Sequence, residues 1–140
     1  ETLLQALTNA AFSGIETTVI VCEKGDQFLP NMAQRSYYET LLQSGVRILQ
    51  YPSPTVLHSN FIYVEDEMAF IGSSNMDPRS VSLNLEVSTF IADAAMVDAL
   101  ADVARTYESI CTELRYGPWS ARPQRIKVTE NICRLWSSLL

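Results

Sequence analysis

Thr17-Thr18-Val19-Ile20-Val21-Cys22 and, further along, Val46-Arg47-Ile48-Leu49-Gln50-Tyr51 are the runs on which the fold turns. The first is β-branched, continuous and of strand length, too apolar for an exposed edge, so it reads as a buried strand. Between the runs, Pro30 suits the first turn of a helix and Gly45 its end, with Met32, Ala33, Tyr37, Leu41 and Leu42 as its apolar stripe. Strand, helix, strand predicts a βαβ unit with a parallel pair, because parallel neighbours need a crossover.

Outward from that unit the periodicity continues. Leu3, Leu4, Leu7, Ala10 and Ala11 recur at helical spacing and stop before Gly14, a natural C-terminal cap. Asn60 to Val64 and Met68 to Ile71 flank Glu65-Asp66-Glu67, which predicts a hairpin with an acidic turn, and Leu85 to Ile91 reads as a further strand. Asp93 is placed to cap a helix from Ala94 whose stripe is Val97, Leu100, Val103, Ala104, Tyr107, Ile110, Cys111 and Leu114. Tyr116-Gly117-Pro118-Trp119 should break it, and Val128, Ile132, Leu135, Trp136 and Leu139 mark a last amphipathic helix. The pattern is α/β, without repeats: a mixed β-sheet sandwiched between helices.

Composition limits the function. With 140 residues and 47% apolar content the chain can fill a core as one domain. A net charge of -6 disfavours nucleic acid as a partner, since non-specific affinity comes from Lys and Arg releasing counterions. The charge is uneven: Arg115, Arg122, Arg125, Lys127 and Arg134 against Glu130 give residues 115–140 a charge of +4 and leave -10 for the rest. Such a basic, Trp136-bearing amphipathic tail suits an anionic membrane surface, and packing on the domain is the plainer use of the same stripe. Cys22, Cys111 and Cys133 are odd in number and widely spaced, which predicts buried thiols rather than disulfides or a zinc site. No apolar run is long enough to span a bilayer, and a start at Glu1 rather than Met suggests a piece of a longer polypeptide.

The chemistry concentrates in His58-Ser59-Asn60-Phe61-Ile62-Tyr63-Val64-Glu65-Asp66, then Gly72-Ser73-Ser74-Asn75, then Asn84-Leu85-Glu86. His58 is the single histidine of the chain. Alternation puts His58, Asn60 and Ile62 on one side of a strand. The Gly-Ser-Ser-Asn turn offers hydroxyl, amide and backbone donors to an anion, and Glu86 could hold one imidazole nitrogen and aim the other. A lone histidine is more often structural, and Ser73 and Asn75 could be ordinary turn formers. Residue types alone leave those readings open.

The run resembles the phospholipase D superfamily motif, His-x-Lys, four residues, Asp, then Gly-Ser-x-Asn. More narrowly, Arg35-Ser36-Tyr37-Tyr38-Glu39, Ser44-Gly45-Val46-Arg47-Ile48, Asn75-Met76-Asp77-Pro78-Arg79-Ser80 and Asn84-Leu85-Glu86 resemble the C-terminal half of bacterial cardiolipin synthases. The resemblance implies a phospholipase D-like domain over 1–116 and a basic amphipathic extension over 117–140. It also implies a two-half enzyme, completed by an N-terminal half or a second chain, that transfers a phosphatidyl group through a phosphohistidine without cofactor or metal. The substrate would be a phospholipid such as phosphatidylglycerol, at the cytoplasmic face of the bacterial inner membrane. His58 and Glu86 would be catalytic, and Ser73 and Asn75 would bind phosphate. Two motif positions are degenerate: Asn60 replaces the lysine and Glu65 the aspartate. Glu65 keeps its charge, whereas Asn60 lacks the charge and reach of an ammonium, so a weakened half-site is expected. The alternatives are an inactive half that completes a pocket or binds phospholipid, and a dimeric single-motif phosphodiesterase or nuclease.

Overall fold

The computed structural model describes residues 2–25, 27–65, 67–73 and 87–136. In chain order the elements are α1 (Thr2–Phe12), β1 (Thr18–Cys22), α2 (Phe28–Arg35), α3 (Tyr38–Gln43), β2 (Arg47–Tyr51), β3 (Phe61–Val64), β4 (Met68–Gly72), β5 (Ser88–Ile91), α4 (Ala94–Ile110), β6 (Thr112–Leu114), α5 (Tyr116–Ser120) and α6 (Gln124–Trp136). The fold is mixed α/β, and its elements fall into two compact units, Glu1–Val56 with Cys111–Leu140, and Leu57–Ile110.

In the first unit β1 and β2 run parallel, from Thr18 opposite Arg47 to Cys22 opposite Tyr51, as the βαβ reading requires. β6 adds antiparallel to β2, with Ile48 opposite Leu114. Gly14 and Gly45, at φ +85° and +94°, end α1 and α3 by one device. In each case the next amide reaches back five residues, Ile15 to Ala10 and Val46 to Leu41, closing the last turn with bonds an L side chain would strain. Val21, Tyr38, Leu41, Val46, Ile48 and Trp119 form the core, with Leu4, Leu7 and Ala11 of α1 packed on it.

The second unit is an antiparallel meander, β3-β4-β5, with Tyr63 opposite Ala69 and Ala69 opposite Ile91. Val97 and Leu100 of α4 cover those residues. Asp93 caps α4, its carboxylate accepting the Met96 amide at 3.0 Å.

Several expectations are corrected. The Thr17–Cys22 run lies at the outside of its sheet among the described residues, half-buried except for Val21. Continuity of apolar residues did not separate a covered edge from a centre. Among the described residues the strands form two three-stranded sheets. The helix expected from Pro30 to Gly45 is two, because at Ser36 and Tyr37 the amides bond three residues back and the Ser36 hydroxyl takes the Ala33 carbonyl. α4 stops at Ile110, and Thr112 to Leu114, read as its continuation, pair with β2 instead. The Tyr116–Trp119 break is itself a one-turn helix, α5. Of the cysteines only Cys133 is buried; Cys22 and Cys111 are half-buried and all three are unbridged.

The basic C-terminal segment packs within the first unit, α6 against α2. Glu130, 1% exposed, accepts Arg122 through both guanidinium nitrogens at 2.6 and 3.0 Å and Arg35 Nε at 3.0 Å. The Arg122 guanidinium lies 3.3 Å from the centre of the Trp119 ring, and that of Arg35 lies 5.0 Å away. One carboxylate thereby ties α2, α6 and the turn between α5 and α6 together through charge-assisted bonds.

Candidate functional site

The site is built at one end of the β3-β4-β5 sheet. His58, Ser59 and Asn60 are an extended lead into β3, and their register is held by the Gly72 amide, which donates to the Asn60 carbonyl at 3.0 Å. Asn60, Gly72 and Ser88 therefore lie in one row across three strands, continuing the rows in which Ile62 opposes Phe70 and Phe70 opposes Phe90. The Ser73 amide bonds the Val87 carbonyl at 3.0 Å, and the Ser73 hydroxyl accepts the Val87 amide at 3.2 Å.

Gly72 is required for a reason the sequence reading missed. A Cβ there would stand 2.5 Å from the Val87 carbonyl oxygen and 2.6 Å from the Ser88 hydroxyl. The Gly of the Gly-Ser pair thus allows the β5 backbone to come close, rather than supplying a left-handed turn. Its consequence is that the His58 segment, Ser73 and the residue next to Glu86 meet at one edge.

Asn60 and Glu65 are placed differently. The Asn60 side-chain amide turns to the Ser73 carbonyl at 3.4 Å, so a donor is directed at the protein's own turn. Glu65 sits in the β3–β4 turn with φ +52°, at the other end of β3 from His58. At strand spacing the seven steps between the two span roughly 20 Å, so Glu65 lies at the turn, away from the His58 end of β3. Aspartate and asparagine tolerate that left-handed conformation better than glutamate does, which gives the motif aspartate a backbone reason.

His58 and Ser59 are exposed, and the Ser59 hydroxyl shares a hydrogen bond of 3.0 Å with the Tyr107 hydroxyl of α4. Tyr107 was read only as part of an apolar stripe; it also steadies the residue beside His58, and helical spacing carried no sign of this. Asn75 and Glu86 lie outside the described residues, as do Asp66 and the whole Asn75–Ser80 run. The structure thus brings Asn60 and Ser73 together, with His58 two residues before Asn60, and sets Glu65 at the other end of β3. No helix among the described residues is long and apolar enough to cross a membrane.

A family model described as "Cardiolipin synthase, PLD-like domain" matches residues 1–109. Cardiolipin synthase A of Proteus mirabilis is 32% identical over 138 residues, covering 99% of this chain and 28% of that protein. The cardiolipin synthase of Halalkalibacterium halodurans is 38% identical over 141 residues, covering 100% of this chain and 28% of that protein. The chain thus spans little more than a quarter of the length of the curated relatives it matches. Among solved structures, the phospholipase D family member Nuc from Salmonella typhimurium shares the fold at a TM-score of 0.69 and 18% identity, over 80% of this chain and 72% of that one.

Proposed function

The chain belongs to the cardiolipin synthase PLD-like domain family, and on that premise we propose that it is the C-terminal catalytic half of a longer phosphatidyltransferase, weakened by Asn60. The observation that carries this reading is the edge where the His58 segment, the Gly72-Ser73 pair and Val87 are hydrogen-bonded to one another.

In the proposed reaction a histidine imidazole attacks the phosphorus of a phospholipid such as phosphatidylglycerol. The bond from phosphorus to the headgroup oxygen breaks, and the leaving alkoxide takes a proton from the histidine of the other half. That histidine then removes the proton of the glycerol headgroup of a second lipid, whose oxygen displaces the imidazole and frees it. Ser73 and Asn75 donate to the phosphoryl oxygens, and Glu86 orients His58. The partners are the lipid substrates and the other half, on the same chain or a second one. Work on phospholipids keeps the enzyme at the inner membrane, on its cytoplasmic side, held peripherally or by a segment of the longer protein.

Asn60 favours a second reading, in which this half only completes or stabilises the pocket. Loss of one aligned donor in such a site lowers rate by roughly 10²–10³-fold, and a neutral amide turned toward Ser73 leaves that loss unfilled. The test uses the longer protein that contains this chain. Asn60→Lys is expected to raise turnover by roughly 10²-fold or more, and labelled phosphate trapped after rapid quenching is expected on histidine. An unchanged rate would remove Asn60 as the weak point. Full turnover by a His58→Ala protein would leave only the supporting role.

A further inference from the structure

The C-terminal helix α6 presents three faces. At 3.6 residues per turn, Ile126, Glu130 and Cys133 point one way, and they are buried or half-buried in the first unit. Lys127, Asn131 and Arg134 point to a second side and line a polar cleft of about 320 Å³, walled opposite by Arg35, Glu39 and Thr40. Val128, Ile132 and Leu135 form the third face, a stripe left 54, 51 and 76% exposed.

The cleft is electropositive although the chain is acidic. Arg35, Arg122, Lys127 and Arg134 face Glu39 and Glu130, an excess of two positive charges in one concavity. Glu130 is taken up by Arg122 and Arg35, and Lys127 reaches Glu39 at 3.1 Å. The Arg134 guanidinium stacks 4.5 Å from the Tyr37 ring centre. The helical angle places Arg125 on the opposite flank of the stripe. An open apolar stripe with basic side chains on both flanks is the pattern of a helix lying in a bilayer interface, with cations extending to the headgroups. A second copy is a poor occupant, because a two-fold contact through this face would set two positive clefts beside each other.

We propose that α6 seats the first unit on an anionic phospholipid bilayer, with Val128, Ile132 and Leu135 sunk at the level of the upper acyl chains and one lipid phosphate held in the cleft beside Lys127 and Arg134. This docking is independent of the chemistry at His58.

The experiment is co-sedimentation of the chain with vesicles of phosphatidylcholine alone and of phosphatidylcholine mixed with phosphatidylglycerol. Binding is expected to the mixed vesicles, to fall with added salt, and to weaken about tenfold in Ile132→Asp and several-fold in Arg134→Gln. Ile132 is exposed, so an unchanged urea midpoint for Ile132→Asp shows that folding is intact; Val128→Ser provides a second probe should that midpoint move. His58→Ala is expected to bind as the unaltered chain does, which keeps a failure of docking distinct from a failure of the catalytic reading. Equal binding to pure phosphatidylcholine would overturn the role of the cleft. Unchanged vesicle binding by both stripe variants would overturn the proposal outright, as would a dimer in sedimentation velocity that Ile132→Asp splits without loss of vesicle binding.

Discussion

The molecule holds two polar clusters built on opposite terms. Around Glu130 a buried carboxylate is met by two guanidiniums, each also lying against Trp119, so α2, α6 and the turn between α5 and α6 are fixed by one side chain. At the His58 edge the polar groups are exposed or half-exposed and joined mostly through backbone, with the Asn60 amide turned to the Ser73 carbonyl. The first cluster is a clamp whose charges are answered inside the protein. The second leaves its histidine exposed to solvent. A stability variant should therefore read strongly at Glu130 and weakly at His58, and an activity variant the reverse.

The hardest test of that contrast is Glu130→Ala. It leaves Arg122 and Arg35, both partly buried, facing each other across the space of a lost carboxylate. Removing one partner of such a pair costs about 3–5 kcal/mol, and urea unfolding followed through Trp119 should register it. A loss below about 1 kcal/mol, the range of surface pairs, would mean that solvent reaches the clamp and that the contrast is false.

Gly72→Ala strikes the other cluster through the backbone. The added methyl would meet the Val87 carbonyl and the Ser88 hydroxyl well inside contact distance, so β5 has to move away from β4. Overpacking of this kind costs about 1–3 kcal/mol. It should also break the Ser73–Val87 bonds, seen as faster amide exchange at Ser73 and Val87. A variant with unchanged exchange at both would show that the site edge does not depend on this approach.

Much of this was legible in the sequence because it depends on local patterns. The Schellman ends at Gly14 and Gly45, the Asp93 cap, the parallel pair and the hairpin all follow from residue type at fixed spacing. The motif set Asn60 near the Gly72-Ser73 turn, and backbone and side-chain bonds join the two there. What the sequence hid depends on long-range partners. Thr112 to Leu114 continue a helical stripe, yet β2 offers ladder bonds that win them as a strand. Glu130 looked like the one acid in a basic tail, and only the fold shows that Arg35, ninety-five residues away, joins Arg122 on it. Gly72 looked like a turn glycine until β5 was placed against it.

The same contrast has a reversed sign at Tyr38, beside the clamp. Its ring packs 5.4 Å from that of Trp119, it is 2% exposed, and its hydroxyl is buried without a hydrogen bond among the described residues. Burial pushes the Tyr38 hydroxyl above the ordinary tyrosine pKa, because the phenolate would have no water to stabilise it. A buried polar atom left unpaired costs about 1–3 kcal/mol, and removing it relieves that cost without opening a cavity of any size. Tyr38→Phe is therefore expected to raise stability by about 1 kcal/mol, read as a higher urea midpoint at unchanged slope. A fall of similar size would mean that the hydroxyl has a partner in solution, most simply an ordered water.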